Sequence, residues 1–253
     1  GNYCPSATAV PVDCPQGYYC PTSTVNPEAC PKGTFGNITG LRMQQDCTFC
    51  PPGEYCDTLG LLAPRGLCDP GYYCLEKAYS SAPTGPPTGG LCPPGGYCVK
   101  GSSYPTACPP GTFNNYSGGR SDLDCSACTP GFYCAGSSNP HPTGHCDAGY
   151  YCPANSSKAT EVLAPPGTYT PSGSPNPVPC PVGTYNTQYG QSSCAQCTAR
   201  YYCPELGSTT LIGCPAGSYC PTGSSTPLLC PAGTFSSTPQ LGNVSECTAC
   251  LPG

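Results

Sequence analysis

Tryptophan is absent from this chain, phenylalanine occurs five times and methionine once, at Met43. Large apolar side chains are therefore scarce, and a chain of 253 residues would ordinarily need many of them to fill one central core. Charge is scarce as well. Only 8% of residues are charged, the net charge is −5, and no run of like charges or basic patch occurs. Nucleic-acid binding needs a positive footprint, so nucleic acid is excluded as a partner. No stretch approaches the ~20 apolar residues of a membrane span, so no span is expected in this segment. The chain opens on Gly1 without a signal-peptide pattern and reads as a mature form or a section of something longer.

What the chain has instead is 26 cysteines, 36 prolines and 33 glycines. Cysteine at that density marks a disulfide scaffold, and disulfides on this scale belong to an oxidising compartment. The expected localisation is secreted or cell-surface, extracellular. Stability then rests on many short-loop bridges, each contributing about 2–4 kcal/mol in the loop-entropy description.

One motif organises the rest. Cys214-Pro-Ala-Gly-Ser-Tyr-Cys220 has seven close relatives, each with five residues between its cysteines and tyrosine before the second. Proline and glycine inside it are turn chemistry, read here as proline at the second and glycine at the fourth turn position. The copy at Cys197 carries Arg200 where glycine stands elsewhere, which predicts a different turn there. A second motif, Cys-Pro-x-Gly-Thr-Phe/Tyr followed by a polar loop and Cys-x-x-Cys, begins at Cys30, Cys108, Cys180 and Cys230. It closes four cysteine-rich units at 1–50, 51–128, 129–197 and 198–253. The second unit has an extra staple, and the third a degenerate one at Ala164-Pro-Pro-Gly-Thr-Tyr-Thr170. Repeats of this kind predict a stack rather than a single globule.

The degenerate copy bears on the pairing. Both of its cysteines are missing together, which is best explained if the two cysteines of each staple bond to each other. The expected bridges are Cys14–Cys20, Cys50–Cys56, Cys68–Cys74, Cys92–Cys98, Cys128–Cys134, Cys146–Cys152, Cys197–Cys203 and Cys214–Cys220. The longer loops close through Cys30–Cys47, Cys108–Cys125, Cys180–Cys194 and Cys230–Cys247. Crossed pairing between neighbouring staples is the rival scheme, because spacing alone does not determine connectivity. Cys4 and Cys250 are left over as the second and first halves of incomplete staples. Cys250-Leu-Pro-Gly253 followed by Gly1-Asn-Tyr-Cys4 restores the motif with one extra residue, so these two are candidates for a disulfide between segments. The expected partners are copies of the chain, or further repeats of it, head to tail.

The alternation of C-P-x-G-T-F…C-x-x-C with C-x-P-G-x-Y-C resembles the ephrin-receptor-like cysteine-rich repeats of large extracellular proteins. It is more distantly similar to tumour-necrosis-factor-receptor modules. The resemblance covers nearly the whole chain and implies elongated disulfide ladders in receptors, adhesion proteins and surface coats. With the absence of any 3.6-residue apolar period, the expected fold is small disulfide-rich repeats. They would form an elongated ladder of short hairpins and turns, with almost no helix and no single large core. The motif aromatics would form many small cores.

Four N-glycosylation sequons start at Asn37, Asn115, Asn155 and Asn243. N-linked glycans are expected there, and Thr226 and Thr238 beside proline offer O-linked positions. The Cys-x-x-Cys pairs lie too far apart for a zinc ribbon, and His141 and His145 sit among proline and glycine. No metal, cofactor or catalytic residue is assigned, and the protein is not read as an enzyme. The leading function is a structural extracellular glycoprotein, a repeat segment of a rod or filament. The alternative is the ectodomain of a receptor or adhesion protein, whose scattered anchors would be Arg42, Arg65, Arg120 and Arg200.

Overall fold

A computed structural model describes residues 1–251 of the chain. These residues form fourteen two-stranded antiparallel sheets and three short 3-10 turns, with no α-helix among them. The chain divides into two compact units. The first is Gly1–Ser126 with Gly136–His141; the second is Ala127–Ala135 with the chain from Pro142 onward. Within each unit, successive hairpins make a ladder without a large core.

The strands are two or three residues long, as in Tyr18–Tyr19 with Glu28–Ala29 and Thr34–Phe35 with Thr48–Phe49. An isolated hairpin of that size is not stable in water, so the turns and the neighbouring hairpins must hold it. Most hairpins open on a turn closed from proline, as where Pro15 C=O accepts from Tyr18 N–H and Pro31 C=O from Thr34 N–H; Asp69, Thr129, Asp147 and Thr198 take that place in four others. Glycine is therefore the third turn residue, not the fourth as the motif suggested. Gly17 and Gly33 sit at φ 81° and 83°. That is the left-handed place a type II turn requires, and there glycine has no side chain to clash. A second turn of the same build follows in the loop, where Pro21 C=O accepts from Thr24 N–H around Ser23 at φ 68°.

These turns link one hairpin to the next through the main chain. In the first unit Gly33 N–H donates to Cys56 C=O, Cys56 N–H to Ala78 C=O, and Gly60 N–H back to Cys30 C=O. In the second unit Gly183 N–H donates to Cys203 C=O, Cys203 N–H to Ser224 C=O, and Gly223 N–H back to Cys197 C=O. Each such bond contributes about 0.5–1.5 kcal/mol net, and none of them depends on a side chain. The turns also interlock over a longer step. A Cβ placed on Gly53 would lie 2.5 Å from the Gly101 carbonyl oxygen, and one on Gly183 2.5 Å from that of Gly223. Glycine at these turns is a requirement of close approach as well as of dihedral angle.

Arg200 corrects an expectation. It stands at φ 83° and its N–H donates to Cys220 C=O, so the turn is the same as elsewhere. An L-residue there costs about 1–2 kcal/mol. The guanidinium partly offsets this by donating to Gln240 C=O (2.9 Å) and pairing with Glu246 (3.1 Å), an exposed pair of small worth.

Sulfur fills the interior. Cys14 is joined to Cys20, Cys68 to Cys74 and Cys146 to Cys152, and Cys30 to Cys47 and Cys108 to Cys125 across the longer loops. Most of the bridged cysteines are fully buried. The aromatics contribute less than their motif positions suggest: Tyr19 and Tyr55 are half-buried against sulfur clusters, and Phe235 is exposed. Tyrosine keeps its hydroxyl wet while its ring leans on cystine.

Ala164 and Thr170, where the staple lacks both cysteines, are fully buried, and the Thr170 hydroxyl has no hydrogen-bond partner. The main-chain ladder nonetheless runs through them: Gly149 N–H donates to Thr170 C=O and Thr170 N–H to Gln191 C=O. Replacing the pair together, Ala164→Cys with Thr170→Cys, should form one further disulfide. Closing a seven-residue loop should stabilise the fold by about 2 kcal/mol. Thermal unfolding beside a count of free thiols checks this; two extra titratable thiols would refute it.

Candidate functional site

The residues with chemistry to offer lie at incomplete staples, in the loops that carry sequons, and in clamped acidic loops. Cys4 and Cys250 are free and exposed, yet both are keyed into the ladder. Cys4 N–H donates to Thr24 C=O, as Cys20 N–H does to Leu41 C=O. Cys250 N–H donates to Gly233 C=O, as Cys30 N–H does to Gly17 C=O. Cys4 therefore holds the place of a second staple cysteine and Cys250 that of a first. Gly1 holds the turn-glycine place, since its C=O accepts from Cys14 N–H. Counted from that glycine, Cys250-Leu-Pro-Gly and Gly1-Asn-Tyr-Cys4 overlap by one residue and reproduce the five-residue staple spacing. Pro252 and Gly253, which belong to that reading, lie outside the described residues. Cys4 also lines a concavity of about 520 Å³ with Gly1, Asn2, Pro11, Cys20 and Met43.

All four sequon asparagines are exposed. Asn37 and Asn115 occupy the same place, just after the strands Thr34–Phe35 and Thr112–Phe113. Asn155 is a left-handed loop residue (φ 66°) whose N–H donates to Cys128 C=O. Asn243 caps the 3-10 turn Val244–Glu246 by accepting from Ser245 N–H through its side-chain oxygen (3.1 Å). That bond leaves its amide nitrogen, the atom a glycan takes, unengaged by the cap.

Three of the four longer loops are closed by a carboxylate as well as by sulfur, a feature the cysteine spacing did not disclose. Asp46 accepts from the Arg42 and Met43 N–H groups (2.8 and 3.1 Å). Asp124 accepts from Arg120 and Ser121 N–H, and Glu246 from Gly242 N–H. All three acids stand immediately before the loop-closing cysteine, which is the signal that was there to be read. Two buried asparagines were also missed. Asn114 and Asn186 fill the second-cysteine place of their hairpins and donate to Gly96 C=O and Thr168 C=O, each at 2.9 Å.

Other sequence candidates are dispersed. His145 lays its ring against Phe132, 4.3 Å between ring centres, and His141 is exposed. Among the described residues no three His, Cys, Asp or Glu side chains gather in a metal-holding group. No helix among them is long and apolar enough to cross a membrane. Arg42, Arg65 and Arg120 lie in the first unit and Arg200 in the second. No protein-family model matches the chain, and no curated protein matches it.

The clamp around Asp124 responds to pH. The Tyr116 hydroxyl donates to one carboxylate oxygen (2.5 Å), and the Arg120 and Ser121 amides to the other. The tyrosine bond first, then the amides, hold Asp124 below the usual carboxyl range, and the same bond raises the Tyr116 hydroxyl above its ordinary value. A depressed acid stabilises above its unfolded pKa and loses that contribution as pH falls through the folded value. A raised phenol stabilises below its unfolded pKa and loses its contribution as pH climbs through the folded one. The loop should thus loosen in acid below about pH 4 and again in alkali above about pH 10. Amide exchange at Arg120 and Ser121 reads the acid limb, and an NMR titration of Tyr116 the alkaline one. In Asp124→Asn the acid limb should vanish and Tyr116 should titrate closer to its ordinary value.

Proposed function

We propose that the chain is a structural extracellular glycoprotein, a repeat segment that packs head to tail into a rod or filament and performs no catalysis. The observation that carries this reading is the hairpin ladder itself, in which turn after turn within a unit joins the next hairpin through main-chain bonds, with Cys4 and Cys250 free in the places of a second and a first staple cysteine. A ladder joined by main-chain bonds accepts another hairpin wherever its last turn is open, because nothing in the joint asks for a particular side chain. Contacts that repeat without closing a ring give filaments. The low charge resists such packing weakly. In an oxidising compartment, the many disulfides make the assembly stiff and hard to digest. Glycans at Asn37, Asn115, Asn155 and Asn243 supply the solvation that the sparse charges do not. The motif likeness to ephrin-receptor-like repeats supports the extracellular setting.

A second reading, a receptor or adhesion ectodomain, is favoured by one groove in the first unit. It is lined by Pro52, Leu75, Glu76, Lys77, Pro87 and Tyr104, with Tyr104 66% exposed. A rigid exposed aromatic between prolines suits a peptide ligand.

Electron microscopy of the secreted, non-reduced protein separates the two. Fibres with a repeating axial step support assembly, and dispersed single particles at every concentration support the ectodomain. Digestion with a peptide N-glycosidase should shift the mass, and each Asn→Gln replacement at the four sequons should remove one step of that shift. An unshifted mass would remove glycan from the account.

A further inference from the structure

The loop closed by Cys180 and Cys194 differs from its three counterparts. Its cysteines are 14 residues apart in sequence, where those of the others are 17 apart. Ser193, not an acid, precedes its closing cysteine, and it carries no sequon. Thr187 stands seven residues after Cys180, the place that Asn37 and Asn115 hold after Cys30 and Cys108. At this shortened loop, within the second unit, lies a concavity of about 180 Å³ lined by Tyr185, Asn186, Thr187, Gln188, Gln191 and Ala195. Its walls are fixed by the fold. Tyr185 pairs with Ala195 in the hairpin of Thr184–Tyr185 with Ala195–Gln196. Gln191 C=O accepts from Thr170 N–H. Asn186 is buried, and its N–H donates to Ser208 C=O (3.1 Å). Its side-chain nitrogen donates to Thr168 C=O and Ser193 C=O (2.9 and 3.1 Å). Asn114, its counterpart, also engages its side-chain oxygen, which accepts from Tyr116 N–H (3.2 Å). At Asn186 no donor among the described residues takes that place, so a buried asparagine lines the concavity with its oxygen unspent.

We infer that this concavity is a binding site for one neutral sugar residue. Its lining offers the Thr187 hydroxyl, the Gln188 and Gln191 amides, the Asn186 oxygen and the half-buried ring of Tyr185, with no charged side chain. Hydroxyls and side-chain amides both donate and accept. A charged ligand entering here loses water and meets no counter-charge. A wholly apolar one leaves the polar lining unpaired. A sugar ring satisfies both sides of the site. The hydroxyls on its rim bond neutral donors and acceptors, and its C–H face lies on an aromatic ring whose own face is electron-rich. The space suits a single ring rather than a chain of them. Because the supporting hairpin, the disulfide and Asn186 are already in place, binding orders little of the protein. A handful of polar contacts in so small a site gives a Kd on the order of millimolar. The site needs neither head-to-tail assembly nor the free cysteines.

The test is an NMR titration of the full chain, after peptide N-glycosidase treatment, with the methyl glycosides of glucose, galactose, mannose and N-acetylglucosamine. At least one should shift the signals of Tyr185, Thr187, Gln188 and Gln191 together and saturate in the millimolar range. The methyl glucuronide, similar in shape but charged, should bind more weakly. Thr187→Ala with Gln188→Ala alters two exposed side chains that have no hydrogen-bond partner among the described residues. Thermal unfolding should therefore stay unchanged while the Kd rises about fivefold or more. The same signals identify the source of the sugar. If they are already shifted in the concentrated, untreated chain and return after the glycosidase, the occupant is a glycan of another copy. If only added glycoside moves them, the occupant is a saccharide from elsewhere. A panel in which no neutral glycoside moves these residues, a glucuronide that binds more tightly, or a Kd that ignores the paired substitution would overturn the assignment.

Discussion

The structure depends on a peptide unit held in the left-handed region beside another chain segment's carbonyl oxygen. Most hairpins open on a Pro-x-Gly turn, and the positive φ at its third residue, kept even by Arg200, aims that N–H at the next hairpin. The missing side chain lets a loop carbonyl close over the turn from the hairpin after that. Two-residue strands make too few bonds of their own to persist. The turn supplies what they lack: three main-chain bonds to a neighbour, repeated from step to step within a unit, with the donors satisfied inside the ladder rather than left buried and unpaired. Disulfides act on the other side of the balance. By tying the first and last residues of a seven-residue loop they remove unfolded-state freedom, and they occupy the small volume between turns that an aliphatic core would need many more residues to enclose.

This division of labour explains why so much of the architecture was readable and where reading stopped. The staples are legible because a turn closed by sulfur is local: proline, glycine, tyrosine and two cysteines within seven residues specify it. The low content of large apolar side chains pointed the same way, to an interior of cystine and half-buried tyrosine. The frame of the turn was less legible. Proline before glycine suits more than one turn frame, and only the observed bond from Tyr18 N–H to Pro15 C=O assigns glycine the third place. Arg200 misled for a related reason. Residue preference argued against a left-handed arginine, but neighbouring hairpins over-determine that position, and the guanidinium finds Gln240 and Glu246 there. Tertiary context outweighed a local cost of about 1–2 kcal/mol.

The loop partners of these turns were the least legible. Some are glycine, as at Gly60 and Gly101, but others are Ala7, Ser23, Lys77, Ser138, Asn155 and Gln240, all at positive φ. No common side chain marks them, because their role is played by a carbonyl. A weak signal existed in Pro5, Pro21 and Pro153, each two residues before such a position. In the candidate site, Cys4, Cys250 and the sequon asparagines are visible as residues.

Ala164 and Thr170 separate the two sources of order. That hairpin has lost its sulfur bridge, and a buried hydroxyl without a partner stands in its place; an unpaired group of this kind costs about 1–3 kcal/mol. The turn survives, Gly167 keeps φ 79°, and the bonds to the hairpins on both sides are intact. Sulfur is therefore dispensable at a single step, whereas the main-chain register is kept at every step seen within a unit. A structure that tolerates loss of a staple but not of a turn carries its information in backbone geometry. Side chains on its surface are then free to vary toward proline, serine and threonine without disturbing the joint.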